Sequence, residues 1–134
     1  MKSIYRLTVR GYELDSFGHV NNAVYLQYSE AAKWDFFSKL GVLDKMQEQD
    51  YFPVVLENHL RYMHELRMMD NVLIETTWKC KNSIMEYVHV MRNEKNGQIV
   101  CKVSGKLVYL NDERIICDIP DFIKQLMECT ENED

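Results

Sequence analysis

The chain has 134 residues, 46% of them hydrophobic and 28% charged, and 21 acidic against 16 basic side chains leave a net charge of −5. A single domain over 1–134 accounts for that length, with room for a core that needs neither metal nor disulfide support. No block of lysine or arginine offers an extended surface to a phosphate backbone, so nucleic acid is excluded as an expected partner.

Cysteines at positions 80, 101, 117 and 129 stand too far apart for a CxxC zinc or redox motif, and free thiols in a reducing, cytoplasmic compartment are expected. The opening "MKSIYRLTVRGYELD" has no apolar core of a signal segment, and no run approaches about 20 apolar residues, so no membrane partner is expected either.

In chain order, residues 4–12 alternate as a strand does, with Ile4, Arg6, Thr8 and Arg10 on one face and Tyr5, Leu7 and Val9 on the other. The polar "DSFGHVNN" that follows reads as a loop. Asn21 or Asn22 is the expected N-cap of a helix over 23–40, because its side chain can satisfy an orphan amide. Within that helix Tyr25, Tyr28, Ala32, Phe36 and Leu40 recur every three or four residues, and Gly41 is the expected C-cap.

A linker, "VLDKMQEQDYFP", leads to four strands near 54–62, 72–79, 84–92 and 99–110, with "NEKNGQ" as the hairpin turn between the last two. A short helix from Pro120 to about Met127 and an acidic tail over about 128–134 close the chain. The expected class is α+β, an antiparallel sheet of about five strands wrapped around one long central helix. Only a sheet is large enough to bury that helix's apolar stripe.

The loop ahead of the helix carries the chemistry. Asp15 can activate water or attack a carbonyl, and the unpaired amides of the first helical turn around Asn22 can hold the oxyanion that forms. Gly18 lets the loop bend tightly and lets a substrate reach backbone. His19 can serve as base, positioning group or donor. The same residues also make an ordinary capped turn, and spacing alone does not separate the two readings. His59 and His64 lack the carboxylate pattern of a metal site, so neither metal nor cofactor is called for. Tyr25 and Tyr28 are candidates to line an acyl channel as well as core residues. Arg61, Arg67, Lys79 and Lys81 are candidate contacts for a phosphorylated carrier.

The stretch "VRGYELDSFGHVNNAVYLQYSEAA" resembles the hotdog-fold acyl thioesterases of the 4-hydroxybenzoyl-CoA thioesterase family. It meets the signature D-x-x-G-x-V-N-N-A-x-Y through Asp15, Gly18, Val20, Asn21, Asn22, Ala23 and Tyr25. It looks most like the plant acyl-ACP thioesterases of the methylketone-synthase type and their bacterial relatives. The resemblance implies a hotdog fold and hydrolysis of acyl-CoA or acyl-ACP, with Asp15 as the catalytic carboxylate and the Asn22 amide as oxyanion donor. It also implies a homodimer or homotetramer with sites at the subunit interface. A hotdog domain that binds acyl carriers without catalysis is the alternative.

Overall fold

The computed structural model describes residues 1–131, with side chains through Met127. Helix α1 spans Val24–Leu40. Tyr25, Tyr28, Ala32 and Phe36, the stripe expected from the spacing, are all buried along it. Its end is set by Gly41, left-handed at φ 76°, whose N–H donates to the carbonyls of Phe37 and Ser38. The N-cap position is Ala23, with no side-chain cap, so neither Asn21 nor Asn22 is the N-cap; Asn21 instead closes the turn just ahead of the helix. The Asn21 Oδ1 accepts the Ala23 N–H at 3.0 Å and the Asn21 carbonyl accepts the Val24 N–H at 2.9 Å.

Five long strands, β1 Lys2–Thr8, β2 Phe52–Tyr62, β3 Asn71–Lys81, β4 Ile84–Asn93 and β5 Ile99–Leu110, pair antiparallel in the order β1-β3-β4-β5-β2. A two-residue strand β6, Ile116–Cys117, pairs with the end of β5 and makes the sheet six-stranded rather than five. β1 shows the predicted alternation but ends at Thr8, four residues early, because Gly11–Glu13 turn into a 3-10 helix closed by the Glu13 carboxylate on the Arg10 N–H. The expected linker holds a short helix, α2, Leu43–Glu48, too brief to show a period.

The hairpin turn lies where expected, with the Asn93 N–H on the Gln98 carbonyl and Gly97 at φ 72°. The last helix, α3, covers Asp121–Glu131 and so runs past Met127 into the predicted tail. Residues 132–134 of that tail lie outside the described residues.

The sheet covers the buried face of α1 along its length and divides the core in two. Toward the helix start, Tyr25, Tyr28 and Ala32 pack with Val72, Ile74, Val100 and Val103. Toward its end, Phe36 stacks on Trp78 with ring centroids 4.3 Å apart, and Met85, Leu107 and α3 residues Ile123 and Met127 complete the packing. Among the described residues no helix is long and apolar enough to cross a membrane. Cys101 and Cys117 are free thiols.

Between these clusters a polar row crosses the sheet. Gly105 of β5 pairs with Asn58 on one side and Tyr87 on the other, and a Cβ on Gly105 would run into the Tyr87 ring. The missing side chain lets the Tyr87 hydroxyl reach across to Asn58 Oδ1 at 2.5 Å. Next to Tyr87 lies His89, fully buried, its Nδ1 2.6 Å from Thr76 Oγ1 and its Nε2 without a partner among the described residues.

Burial, and then the nearby Lys33 charge, lower the His89 pKa from 6.5 to about 4. The unfolded chain therefore binds a proton that the folded one refuses, and stability falls as pH drops from about 6.5 toward 4, by about 3 kcal/mol in all. Denaturant unfolding at pH 7 and pH 4.5 checks this. The loss between the two is expected to shrink in His89→Gln.

Candidate functional site

β1 and the 3-10 turn deliver the chain to a tight loop at the start of α1. Leu14 and Val20 bridge antiparallel across its neck, the Asp15 N–H donates to the His19 carbonyl at 2.7 Å, and the Gly18 N–H donates to the Asp15 carbonyl at 3.1 Å. Gly18 holds φ 79°, which a side chain would strain, as the sequence predicts for a tight bend. Asp15 Oδ1 accepts the N–H groups of Phe17 at 2.9 Å and His19 at 3.2 Å. Its second oxygen accepts no hydrogen bond from the described residues. One carboxylate oxygen thus fixes the loop while the other is uncommitted among the described residues.

Asp15, His19, Val20, Asn22 and Tyr25 line a cavity of about 270 Å³. Its opposite wall is Tyr62, Met63, His64 and Glu65, from the end of β2 and the turn that follows. The Tyr62 hydroxyl donates to the Asn22 carbonyl at 3.1 Å, and its ring meets that of Tyr25 edge-on at 5.3 Å. The Asn22 N–H has no acceptor among the described residues and sits at the positive end of α1. His19 Nε2 lies 2.7 Å from Glu65 Oε2, and Glu65 Oε1 accepts from Arg67 at 2.9 Å. The Arg67 hydrogen bond, with the charges of His19 and Arg67, holds the Glu65 carboxyl below its ordinary range.

The arrangement is anchored by a residue the sequence reading passed over. Glu13 is 5% exposed and accepts from the Tyr28 hydroxyl at 2.9 Å, the Arg10 N–H at 2.8 Å and the Arg10 guanidinium at 3.0 Å, while its own carbonyl accepts the Asn21 N–H at 2.9 Å. Burial alone would raise its pKa. The bonds from the Arg10 amide, Tyr28 and the Arg10 guanidinium outweigh that and hold the carboxyl low. Burial and the bond to Glu13 in turn raise the Tyr28 phenol.

Of the sequence-predicted residues, Asp15, His19, Asn22 and Tyr25 come together in one cavity. Tyr28 does not line it. The Tyr28 hydroxyl is turned to Glu13 and the ring lies in the core, which corrects its expected place as a substrate contact. Asn21 does not line it either, its side chain being turned to the Ala23 N–H in the turn ahead of α1. Arg61 is exposed on β2 and lines neither this cavity nor the groove beside it, because its strand neighbour Tyr62 takes the inward direction there. Tyr62, His64 and Glu65 carried no signal in the sequence, since nothing there pairs the end of β2 with the loop. Among the described residues no three His, Cys, Asp or Glu side chains gather around one point as metal ligands.

Glu13→Ala leaves the buried Tyr28 hydroxyl and the Arg10 amide without their acceptor, so a loss of about 1–3 kcal/mol is expected in urea unfolding at pH 7. Ile115→Ala, in the exposed turn ahead of β6, serves as the comparison and is expected to cost less.

Residues 9–127 match the Thioesterase-like superfamily. The chloroplastic acyl-acyl carrier protein thioesterase ATL2 of Arabidopsis thaliana is 50% identical over 120 residues, 88% of this chain and 64% of that protein. Long-chain acyl-CoA thioesterase FadM of Escherichia coli is 31% identical over 98 residues, 71% of this chain and 73% of that one. The chain spans less than two thirds of the length of the chloroplastic relatives it matches, 63% and 64%. The crystal structure of YbaW, a probable thioesterase from Escherichia coli, shares the fold with a TM-score of 0.83 at 24% identity, over 93% of this chain and 96% of that one. With nearly its whole length matched and the sheet wrapped around one long helix, the chain belongs to the Thioesterase-like superfamily and has the hotdog fold.

Proposed function

We propose that this protein hydrolyses acyl thioesters of coenzyme A or acyl carrier protein to a free acid and a thiol. The observation that carries the reading is that Asp15 and Asn22 line one cavity, the first with a carboxylate oxygen and the second with an N–H that have no protein partner among the described residues. The printed activities of the relatives, acyl-acyl carrier protein and long-chain acyl-CoA thioesterases, agree with it.

In this reading the acyl carbonyl enters with its oxygen toward the Asn22 amide and the start of α1, where charge developing on oxygen meets an N–H and the helix dipole. Asp15 acts from the other side. As a base its free oxygen takes a proton from water as that water adds to the carbonyl; as a nucleophile it adds directly, and water then opens the mixed anhydride. The thiolate leaves in either case. His19, tied to Glu65, holds the loop against the β2 end rather than moving a proton itself.

β2 leaves one edge of the sheet unpaired over Phe52–Tyr62, with Phe52, Val54, Leu56 and Tyr62 partly exposed along it. Such an edge is a template for pairing with another strand. We therefore assign it to a homodimer that joins two sheets, and sedimentation at micromolar concentration is expected to give twice or four times the chain mass. The free thiols Cys101 and Cys117 fit a reducing, cytoplasmic setting.

Thiol release from short, long and aromatic acyl-CoAs and acyl-carrier proteins tests the reaction. Asp15→Asn is expected to lower kcat/KM by about 10²- to 10⁴-fold on the best of them. Equal slow rates in both proteins would favour a carrier-binding domain without catalysis. Single-turnover hydrolysis in ¹⁸O-water separates the two roles of Asp15, since label enters its carboxylate only if it attacks.

A further inference from the structure

Helix α1 lies along the strands. Tyr25 packs in one cluster with Val72 and Val100, and Phe36 in the other with Trp78 and Leu107, so β3 and β5 follow the helix while β2 and β4 run against it. The end of β2 is fastened to the start of α1 by Tyr62, through the Asn22 carbonyl and the Tyr25 ring. Asn58 lies four residues back along β2 from Tyr62, about 13 Å at about 3.3 Å per residue. Glu30 lies eight residues along α1 from Asn22, about 12 Å at about 1.5 Å per residue. The two lengths agree. Asn58 and Glu30 therefore stand at one level, two helical turns beyond the Asp15 cavity.

That level is polar. The Tyr87 hydroxyl donates to Asn58 Oδ1, and Asn58 Nδ2 has no acceptor among the described residues. Burial, and then the Glu30 charge, raise the Tyr87 phenol to about 12, which puts Glu30 close to it. Buried Lys33 lies over the Trp34 ring and gives one N–H to Glu30 at 2.8 Å, with no oxygen or nitrogen acceptor for the other two among the described residues. Further in, with its ring 4.9 Å from that of Tyr87, is His89 and its unpartnered Nε2. Spare hydrogen-bonding capacity is rare inside a protein, and here it is gathered at one depth. Between this row and Asn22 the facing side chains are apolar, Leu26 on α1 and Leu60 on β2, and Leu26 is partly exposed.

Resting on the thioesterase reading, we propose that the far end of the acyl chain is read by Asn58 and the Glu30 and Lys33 pair, and that the site takes medium-length acyl groups ending in a hydroxyl. An extended chain advances about 1.25 Å per C–C bond of about 1.5 Å, so about ten carbons cover the span. A methyl end arriving there strips water from Asn58 Nδ2 and the Glu30 carboxylate and gives nothing back, whereas a hydroxyl both donates and accepts. Charge decides against a carboxylate end. Lys33 is already matched by Glu30, whose second oxygen accepts from Trp34 Nε1 at 3.1 Å, so another anion meets Glu30 with no cation to spare. A second copy joined along β2 closes the open side of this lane.

Pairs of acyl-CoAs with and without a terminal hydroxyl, at eight, ten, twelve and sixteen carbons, test this on the full chain. The measured quantity is kcat/KM on the hydroxylated member of each pair over that on the plain one. The wild type is expected to favour the hydroxylated member about tenfold near ten carbons, the worth of one net hydrogen bond. Asn58→Leu and Lys33→Met are each expected to bring the ratio to one or below. Circular dichroism checks that the variants fold, and the wild-type ratio still tells for or against the proposal if one does not.

A preference at eight to twelve carbons that either variant removes supports the proposal. A ratio at or below one at all of those lengths, a preference found at sixteen carbons alone, or one that survives both variants overturns it. Absence of hydrolysis on every pair removes the thioesterase reading instead. Calorimetric binding of 10-hydroxydecanoate and decanoate to the wild type and Asn58→Leu then decides the polar row by itself, and equal affinities for the two acids in the wild type overturn it.

Discussion

Everything in this molecule is arranged around one long helix that has to be covered on one side. α1 carries four aromatic residues into the core, two near its start and two near its end, and a curved sheet is the surface that can pack against all of them. Once the flank is buried, the amino-terminal turn is where the helix still presents unpaired N–H groups to solvent. The location of the cavity follows from the need to hide apolar surface, before any consideration of chemistry.

Holding that turn in register is a separate task. Glu13 does it from below by reaching the Tyr28 hydroxyl one turn into the helix, and Tyr62 does it from the side through the Asn22 carbonyl. The first tie is buried and strong in the low-polarity interior; the second is exposed and easily exchanged for water. The loop bearing Asp15 therefore has a firm floor and a compliant wall. A wall of that kind can yield to a bulky ligand without disturbing the helix start.

The sequence made the central elements readable because they depend on local spacing. The helix stripe, its glycine stop, the hairpin turn and the grouping of Asp15, His19, Asn22 and Tyr25 all lie within short windows of chain. What it hid depends on distance. Nothing in "RYMHELR" announces that it lies against a loop more than forty residues earlier, and Glu13, flanked by Tyr12 and Leu14, has the look of a solvated charge. Tyr28 sits at the right helical spacing for either a channel or the core, and only the position of Glu13 decides between them. α2 and β6 escaped for a simpler reason, being too short to carry a period.

The overlap of Gly105 and Tyr87 limits how this interior can be altered. Any side chain at position 105 needs the space the Tyr87 ring occupies, and a smaller residue at 87 alone leaves a void and strips Asn58 of its donor. Each single change is therefore a step downhill in stability, whereas a joint change, with a small side chain at 105 and a shortened one at 87, has a geometry that fits. The two positions behave as one unit in drift and in design. Libraries that vary this sheet one site at a time will find both positions closed.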